Sequence, residues 1–465
     1  MSFLRRVRGG RKRRVALVTP PSSFPIKYIP HPYLPNQTVP VTVATPLMPL
    51  GPAYLAASLE KSGYDVKIVD LTFMGNSKFD PAFIGSAILN LKPDIIGLSA
   101  LTWTIPNTYN LANTIRAVDK KIPIVVGGPH VSALPQRTLE ECPSINAAIV
   151  GEGEFLLRDF FNIFFRKGFS DDLNKLQGLV YRKGNSIKGD PTPAYIEDLD
   201  KIPFPARHLY NIPKYVEVSN SFNAKNTPVA SMITSRGCPH QCVFCTRSNN
   251  GLNYRARSPE NVVKEIEELH RMGFKEIQIV DDNFTHDISR VYEICRLIKE
   301  RELELSFDLP NGMRVNHFTE ELMSTMYDAG FYNINLGVES GDDEVLKKIR
   351  KGTTVTQIKE AFRIAKKVGF QMTLFCVIGL PGSTIETVEK TFKLVQESGY
   401  NFNFSVCTPY PGSPLWDEIK GNLGEISWGR YDEGDVNDPL YLPEGMTLIE
   451  LKKLVERANK LEAGN

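Results

Sequence analysis

Residues 234–247 read T-S-R-G-C-P-H-Q-C-V-F-C-T-R, and this stretch decides how the rest of the chain is interpreted. It places Cys238, Cys242 and Cys245 at the spacing C-x3-C-x2-C, with no fourth cysteine nearby. A structural zinc site is closed by four ligands, so three thiolates complete only part of a metal centre. The spacing therefore indicates a metal centre that keeps one position open for chemistry. The alternative is a Cys3His zinc site with His240 as the fourth ligand.

The composition is that of a globular protein of two or three domains. The chain has 465 residues, of which 42% are hydrophobic and 23% charged. Lys and Arg total 55 against 53 Asp and Glu, so overall charge does not favour nucleic acid as a partner. The other four cysteines are scattered singly, and no apolar window is long enough to span a membrane. These features predict a cytoplasmic protein with reduced thiols.

The first half of the chain predicts a doubly wound parallel sheet. After a basic tail at residues 1–13, short apolar runs alternate with helical patterns, which is typical of β-α-β units. A proline-rich loop at about residues 20–50 predicts a lid. A hairpin at 179–187 closes the predicted domain, 14–189, and a proline-dotted linker follows at 190–227.

The second half predicts an open (β/α)6 barrel, a partial TIM barrel. Six apolar runs between residues 228 and 406 each adjoin an amphipathic helical pattern. Functional residues are then expected at the carboxyl ends of the strands. We assign residues 228–416 to this core and 417–465 to a C-terminal helical cap.

The cysteine motif after the first barrel strand, with Phe244 just before the last cysteine, resembles the radical S-adenosylmethionine (radical SAM) enzymes. The resemblance implies that Cys238, Cys242 and Cys245 bind three irons of a [4Fe-4S] cluster. S-adenosylmethionine would chelate the fourth iron and yield a 5′-deoxyadenosyl radical. This explains the missing fourth cysteine.

Further positions are similar to the family's cofactor-binding residues. The implied ligands of S-adenosylmethionine lie after successive barrel strands, and besides Phe244 they are Asp281, Asp282, Asn283, Arg314, Glu339, Ser340, Ile378 and Gly379. The family's G-G-E sequence is replaced here by D-D-N at 281–283.

The first domain resembles the cobalamin-binding domain that precedes the radical core in one class of these enzymes. The resemblance rests on S-x-L, G-G and V-G-E-G-E segments, and it implies cobalamin contacts at Ser99, Leu101, Thr102, Trp103, Gly127, Gly128, His130, Gly151 and Glu152. The D-x-H-x-x-G motif, whose histidine ligates cobalt in related carriers, is absent from the region before Ser99.

The resemblance implies a cobalamin-dependent radical SAM enzyme, most commonly one that methylates an unactivated carbon. A cyclase or carbon–carbon bond-forming enzyme that acts on a lipid or tetrapyrrole is the alternative, and a zinc-stabilised nucleic-acid-binding protein is the non-enzymatic one. The expected partners are a small-molecule substrate and an electron donor such as ferredoxin or flavodoxin. The apolar loop and basic N-terminus favour a hydrophobic or lipid substrate and a peripheral membrane contact.

Overall fold

The computed structural model describes residues 11–21, 27–30, 38–41, 48–74, 78–219, 224–247, 250–424, 426–431 and 436–463. Most of the predicted lid and residues 1–10 of the basic tail lie outside these ranges. The chain divides into two compact units, the first formed by residues 1–222 and 248–251 and the second by residues 223–247 and 252–465.

The first unit is built on a seven-stranded sheet of order β4-β1-β5-β6-β7-β8-β9. Its strands are β1 (Arg14–Thr19), β4 (Asp65–Asp70), β5 (Ile95–Ser99), β6 (Ile124–Gly127), β7 (Ala147–Ile149), β8 (Leu179–Lys183) and β9 (Ser186–Gly189). The first five are parallel, whereas the predicted hairpin adds β8 and β9 antiparallel. Within the predicted lid, β2 (Lys27–Pro30) and β3 (Thr38–Val41) form a separate antiparallel pair.

Helices connect these strands, as a parallel sheet requires. They are α1 (Leu50–Lys61), α2 (Pro81–Asn90), α3 (Ile105–Val118), α4 (Pro129–Ala133), α5 (Pro135–Glu141), α6 (Gly153–Lys167) and α7 (Ile212–Ser219). One core joins the sheet to α1 and α6 through buried side chains, including Val15, Leu59, Ile95 and Phe160. Apolar burial of this kind is the main force that holds the sheet and helices together.

The second unit is a six-stranded, all-parallel sheet in the sequential order β10-β13-β14-β15-β16-β17. Its strands are β10 (Val229–Met232), β13 (Glu276–Ile279), β14 (Ser306–Met313), β15 (Phe331–Glu339), β16 (Gln371–Ile378) and β17 (Asn401–Val406). Sequential parallel order is the topology of a partial TIM barrel. Both parts of the predicted fold class are therefore confirmed.

Eight helices accompany this sheet in the described residues. They are α8 (Pro259–Arg271), α9 (Ile288–Glu300), α10 (Glu320–Asp328), α11 (Asp343–Lys348), α12 (Val355–Val368), α13 (Ile385–Ser398), α14 (Pro414–Ile419) and α15 (Leu448–Ala463). The last helix buries Leu451 and Leu454 against Phe392 of α13. In the described ranges, no helix is both long and apolar enough to cross a membrane.

Candidate radical and cobalamin sites

The cysteine loop follows the first barrel strand and is closed at its base by a short ladder. In this ladder, β11 (Ser235–Arg236) pairs antiparallel with β12 (Arg255–Ala256). The loop is also fixed at its centre, because Val243 donates its N–H to the Ile349 carbonyl at 3.0 Å and accepts from Leu415 N at 2.9 Å. These two contacts join the loop to segments far away in the sequence.

The three thiols of this loop differ in exposure. Cys242 is buried, Cys238 is half-buried and Cys245 is exposed, and all three are free. No three His, Cys, Asp or Glu side chains in the described ranges form a preformed site for a single metal ion. A four-iron cluster does not require such convergence, because it spreads its thiolate ligands over different irons.

A cationic side chain contacts one of these thiols. Arg314 Nη1 lies 3.6 Å from Cys242 Sγ, so its guanidinium places positive charge beside this sulfur. Burial raises the pKa of Cys238, and the charge of Arg314 opposes that shift. Burial and then Arg314 lower the pKa of His240 to about 4, so that its imidazole is neutral at pH 7. The donor set, three thiols and adjacent cationic charge, fits an anionic cluster.

Asp281 holds the base of the cysteine loop. Its Oδ1 accepts from Thr234 N at 2.6 Å, and its Oδ2 accepts from the Thr234 and Ser235 hydroxyls at 2.5 Å each. The side chain is buried, and burial raises its pKa. Both carboxylate oxygens are therefore engaged by the loop, which indicates that Asp281 positions the loop.

The two residues after Asp281 have different surroundings. Asp282 is exposed, and its Oδ2 accepts from Gly237 N at 3.1 Å. Asn283 is 2% exposed, and its Nδ2 lacks a hydrogen-bond partner within the described part of the chain. A buried amide donor without a partner is costly, so it fits a site in which a ligand accepts this hydrogen bond.

Arg314, Glu339 and Lys351 form one charged group in the barrel unit. Lys351 Nζ lies 2.6 Å from Glu339 Oε1, and Arg314 Nη2 donates to the Lys351 carbonyl. Glu339 has a φ of +63°, and a register shift separates it from Gly337 on β15. A Cβ on Gly337 would lie 2.6 Å from Glu339 Oε1 and 2.7 Å from Lys351 Nζ, so glycine makes room for the ion pair.

The remaining residues predicted to contact S-adenosylmethionine are described here by their surroundings within the chain. Ser340 is buried, and its hydroxyl accepts from Asp342 N at 3.2 Å. Ile378 packs its side chain into the core with α13 and α15. Gly379 follows with a φ of +82°, a conformation that favours glycine. Phe244 is half-buried in the cysteine loop.

In the first unit, the predicted cobalamin residues gather at the carboxyl ends of β5 and β6. Ala100 donates its N–H to the Gly127 carbonyl at 2.8 Å. Gly128 has a φ of +114°, and a Cβ there would lie 2.6 Å from the Ala100 carbonyl oxygen. A Cβ on Gly127 would meet only Ile149, at an ordinary 3.5 Å. Gly128 is therefore required by the turn itself, whereas the turn does not require glycine at position 127.

The polar residues beside this turn are Thr102 and His130. His130 is 1% exposed, and its Nδ1 lies 3.3 Å from the Thr102 hydroxyl. Burial lowers the pKa of His130 to about 3, so the ring is neutral at pH 7. Ser99 ends β5, and Leu101 and the half-buried Trp103 follow it on the same connection.

Gly151 and Glu152 are engaged by other parts of the first unit. Gly151 has a φ of +80° and donates its N–H to the Ser132 hydroxyl at 2.9 Å. Glu152 is buried, and its Oε2 accepts from Ile196 N at 2.6 Å. These contacts give both residues a structural role beside the predicted binding role.

Sequence reasoning missed Lys351 and the contacts that Ile349 and Leu415 make with the cysteine loop. Lys351 lies in the segment I-R-K-G-T-T at 349–354, whose composition does not distinguish it from other surface lysines. The basic residues that flank Ile349 are the only sequence signal for a cation near this point.

Comparison with known proteins matches both halves of the chain to described families. The Radical SAM superfamily matches residues 232–395, and the B12 binding domain matches residues 37–160. An uncharacterized methyltransferase of Pyrococcus horikoshii is 32% identical over 96% of this chain and 91% of its own length. The cytidylyl-2-hydroxyethylphosphonate methyltransferase of Streptomyces wedmorensis is 30% identical over 80% of this chain and 77% of its own.

Two solved structures share the fold. The radical S-adenosylmethionine methyltransferase TsrM from Kitasatospora setae, with cobalamin and a [4Fe-4S] cluster bound, covers 95% of this chain and 81% of its own at a TM-score of 0.69 and 19% identity. The cobalamin-dependent radical enzyme OxsB, with aqua-cobalamin and S-adenosylmethionine bound, covers 97% of this chain and 62% of its own at a TM-score of 0.66 and 19% identity.

The chain therefore belongs to the cobalamin-binding radical SAM family of enzymes. The predicted family and enzyme class are confirmed, as are the predicted cofactors: a [4Fe-4S] cluster, S-adenosylmethionine and cobalamin. The zinc-protein alternative does not account for these matches. The roles of individual site residues and the domain boundaries stay predictions.

Proposed function

We propose that this chain is a cobalamin-dependent radical SAM methyltransferase that methylates an unactivated carbon. The observation that carries the proposal is the combination of a three-thiol loop at the first barrel strand with a glycine turn at the carboxyl edge of the first sheet. The 32% and 30% identity to two methyltransferases supports methyl transfer. When bound, the cluster with S-adenosylmethionine supplies a hydrogen-abstracting radical, and cobalamin supplies a transferable methyl group.

The chain's own residues contribute binding and orientation. Cys238, Cys242 and Cys245 hold the cluster, and Asp281 fixes the loop that carries them. Arg314 places positive charge beside Cys242, and Lys351 adds a second cation within the same group. Fixed charge in a buried setting favours an anionic ligand, such as the carboxylate of S-adenosylmethionine, more strongly than it would in water.

Gly127 and its neighbours would hold cobalamin in the first unit. Because Gly127 has no Cβ, a ligand could approach the backbone at the end of β6 closely. His130 is neutral, and its Nδ1 is placed near Thr102. We therefore assign His130 to the surroundings of the cofactor's tail.

The substrate is a small molecule, and a reduced electron-transfer protein such as ferredoxin or flavodoxin would supply the electron. Hopanoid C-3 methylase of Methylococcus capsulatus, 26% identical over 85% of this chain, is compatible with the predicted lipid substrate. That prediction drew on the loop at residues 20–50 and the basic N-terminus, most of which lie outside the described residues.

Anaerobic reconstitution tests the proposed function. The full chain is loaded with iron, sulfide and cobalamin and given S-adenosylmethionine with a deuterated methyl group. We expect about four irons per chain and formation of 5′-deoxyadenosine under reducing conditions. Cys238→Ala, Cys242→Ala and Cys245→Ala should each abolish both signals.

Cys295→Ala is the matched control. Cys295 is fully buried on α9. Its replacement should lower the free energy of unfolding by about 1 kcal/mol through lost packing, without affecting iron content. Equal loss of iron in Cys295→Ala and in the three loop variants would contradict the assignment of the cluster ligands.

A further inference from the structure

A short basic segment of the barrel unit is attached to the cysteine loop. The segment reads K-K-I-R-K at residues 347–351, where α11 ends. The Ile349 carbonyl in its middle accepts the N–H of Val243, a residue of the cysteine loop, at 3.0 Å. The Lys351 carbonyl accepts from Arg314, whose guanidinium lies against one of the thiols. The segment is therefore joined to the cysteine loop both directly and through Arg314.

The side chains of this segment divide into a buried and an exposed set. Ile349 is buried, and so is Lys351, which belongs to the ion pair described above. Lys347, Lys348 and Arg350 are exposed, and we call these three residues the α11 surface. None of the three forms an ion pair with a residue that the structure describes. Their positive charges are therefore available to a partner.

The backbone holds Arg350 in an unfavourable conformation. Its φ is +55°, in the left-handed region that favours glycine. The turn is the one in which glycine usually ends a helix, because Arg350 N donates to the Lys347 carbonyl at 3.0 Å. The next N–H, of Lys351, donates to the Leu346 carbonyl at 2.9 Å. Glycine would form this turn without strain, so the fold does not require arginine here, and strain of this kind is typical of functional positions.

The acidic residues of this region lie at the other end of α11. Asp342 caps the first turn and pairs with Lys390 at 3.0 Å. Asp343 accepts from Val355 N at 2.7 Å, and Glu344 is exposed beside it in the first turn. The exposed positive charge is therefore concentrated at the end of α11 that contacts the cysteine loop.

We propose that the α11 surface is the docking site for an acidic electron-carrier protein of the flavodoxin or ferredoxin kind. The carrier is oxidised by one electron and the cluster is reduced by one, and no bond forms or breaks between the two proteins. Electron transfer slows steeply with distance, so an effective carrier docks beside the loop that holds the cluster ligands. Positive charge at this point attracts an acidic carrier and orients it, an effect that salt weakens.

A pair of matched double variants tests the surface. Lys347→Gln with Lys348→Gln removes two exposed charges from the last turn of α11, which follows the carboxyl end of β15. The control, Lys299→Gln with Lys366→Gln, removes two exposed charges from the last turns of α9 and α12. Those two helices end shortly before β14 and β16 begin, so the control changes the same net charge at the opposite ends of the strands.

Binding of purified flavodoxin and of purified ferredoxin to the full chain is measured by isothermal titration calorimetry at low and high salt. At low salt, the α11 double variant should bind about fivefold more weakly than wild type or control, and high salt should reduce the difference. Arg350→Gly should also weaken binding while its thermal stability is retained, because glycine suits a φ of +55°. Equal affinities of the α11 variant and the control would overturn the inference, as would failure of both carriers to bind the wild type. Loss of affinity for anionic lipid vesicles, with unchanged carrier binding, would overturn it in favour of a membrane contact.

Because this inference rests on the proposed function, turnover is measured with two reductants. With dithionite, the reconstituted wild type, the variants and the control should form 5′-deoxyadenosine at the same rate. With flavodoxin kept reduced by its reductase and NADPH, the α11 variants should be slower than the control. Absence of 5′-deoxyadenosine with dithionite in the wild type would overturn the proposed function. Normal formation with dithionite but equal rates of all proteins with flavodoxin would overturn only the inference.

Discussion

Lys351 Nζ lies 2.6 Å from Glu339 Oε1, and the two side chains are only 8% and 10% exposed. Glu339 adopts a φ of +63°, which is unfavourable for a residue with a Cβ. A buried ion pair on a strained backbone position is typical of a functional site. The pair also lies in one group with Arg314, whose guanidinium contacts Cys242.

Lys351→Met should destabilise the protein by about 3–5 kcal/mol, because it leaves the Glu339 carboxylate buried without its partner. The double variant Lys351→Met with Glu339→Gln should recover much of that loss, since the unpaired charge is removed. Denaturant unfolding measures the free energy of all three proteins. Equal destabilisation of the single and double variants would contradict a direct pairing. We also expect weaker binding of S-adenosylmethionine in Lys351→Met.

Asp281→Asn should impair cluster assembly, whereas Asp282→Asn should not. The Asp281 carboxylate accepts three hydrogen bonds from Thr234 and Ser235, and an amide offers only one acceptor oxygen. The expected cost is about 1–3 kcal/mol and a loss of loop order. Asp282 is exposed and accepts from Gly237 N rather than from Thr234 or Ser235, so it serves as an adjacent control. Iron content after reconstitution distinguishes the two, and equal iron contents would show that Asp281 does not hold the loop.

Local sequence patterns were sufficient to predict the strands of the two large sheets. Strands such as 371–378 are short, mostly apolar runs, and the amphipathic helices repeat every three to four residues, so both signals are local and need no knowledge of distant contacts. The same patterns predicted that the three cysteines lie on one loop after the first barrel strand. Parallel topology then placed Arg314 and Glu339 at neighbouring strand ends.

Contacts between distant segments could not be predicted in this way. Val243 bonds to Ile349 and Leu415, and no local periodicity links those positions. Lys351 pairs with Glu339 beside a register shift on β15, and hydrophobic alternation reveals neither the pair nor the shift. The role of Asp281 as a loop support likewise depends on its burial beneath Thr234.

Gly127→Val should weaken cobalamin binding without unfolding the first unit. The added Cβ meets only Ile149 at 3.5 Å, so the chain itself tolerates it, but the side chain occupies space at the end of β6. Gly128→Ala should destabilise the protein even without cobalamin, because its Cβ would lie 2.6 Å from the Ala100 carbonyl oxygen at a φ of +114°. Absorbance titration with cobalamin and thermal unfolding of both apo variants separate binding from folding. An unchanged cobalamin titration in Gly127→Val would show that the cofactor does not lie against this strand end.

Asp308→Asn should change the pH dependence of stability. Burial is the main cause that raises the pKa of Asp308 from its ordinary value of 3.8 to about 7, so the folded protein retains this proton over a range in which the unfolded chain has lost it. The wild type therefore loses stability as the pH rises from about 4 to about 7, and the loss levels off above that range. Asparagine cannot ionise, so the variant does not lose stability in this way as the pH rises. The stability of Asp308→Asn relative to wild type should rise across this interval, by an amount on the order of 4 kcal/mol at most. Denaturant unfolding at pH 5 and pH 8 measures this difference, and a difference that stays constant with pH would show that Asp308 is already ionised in the folded barrel at pH 5.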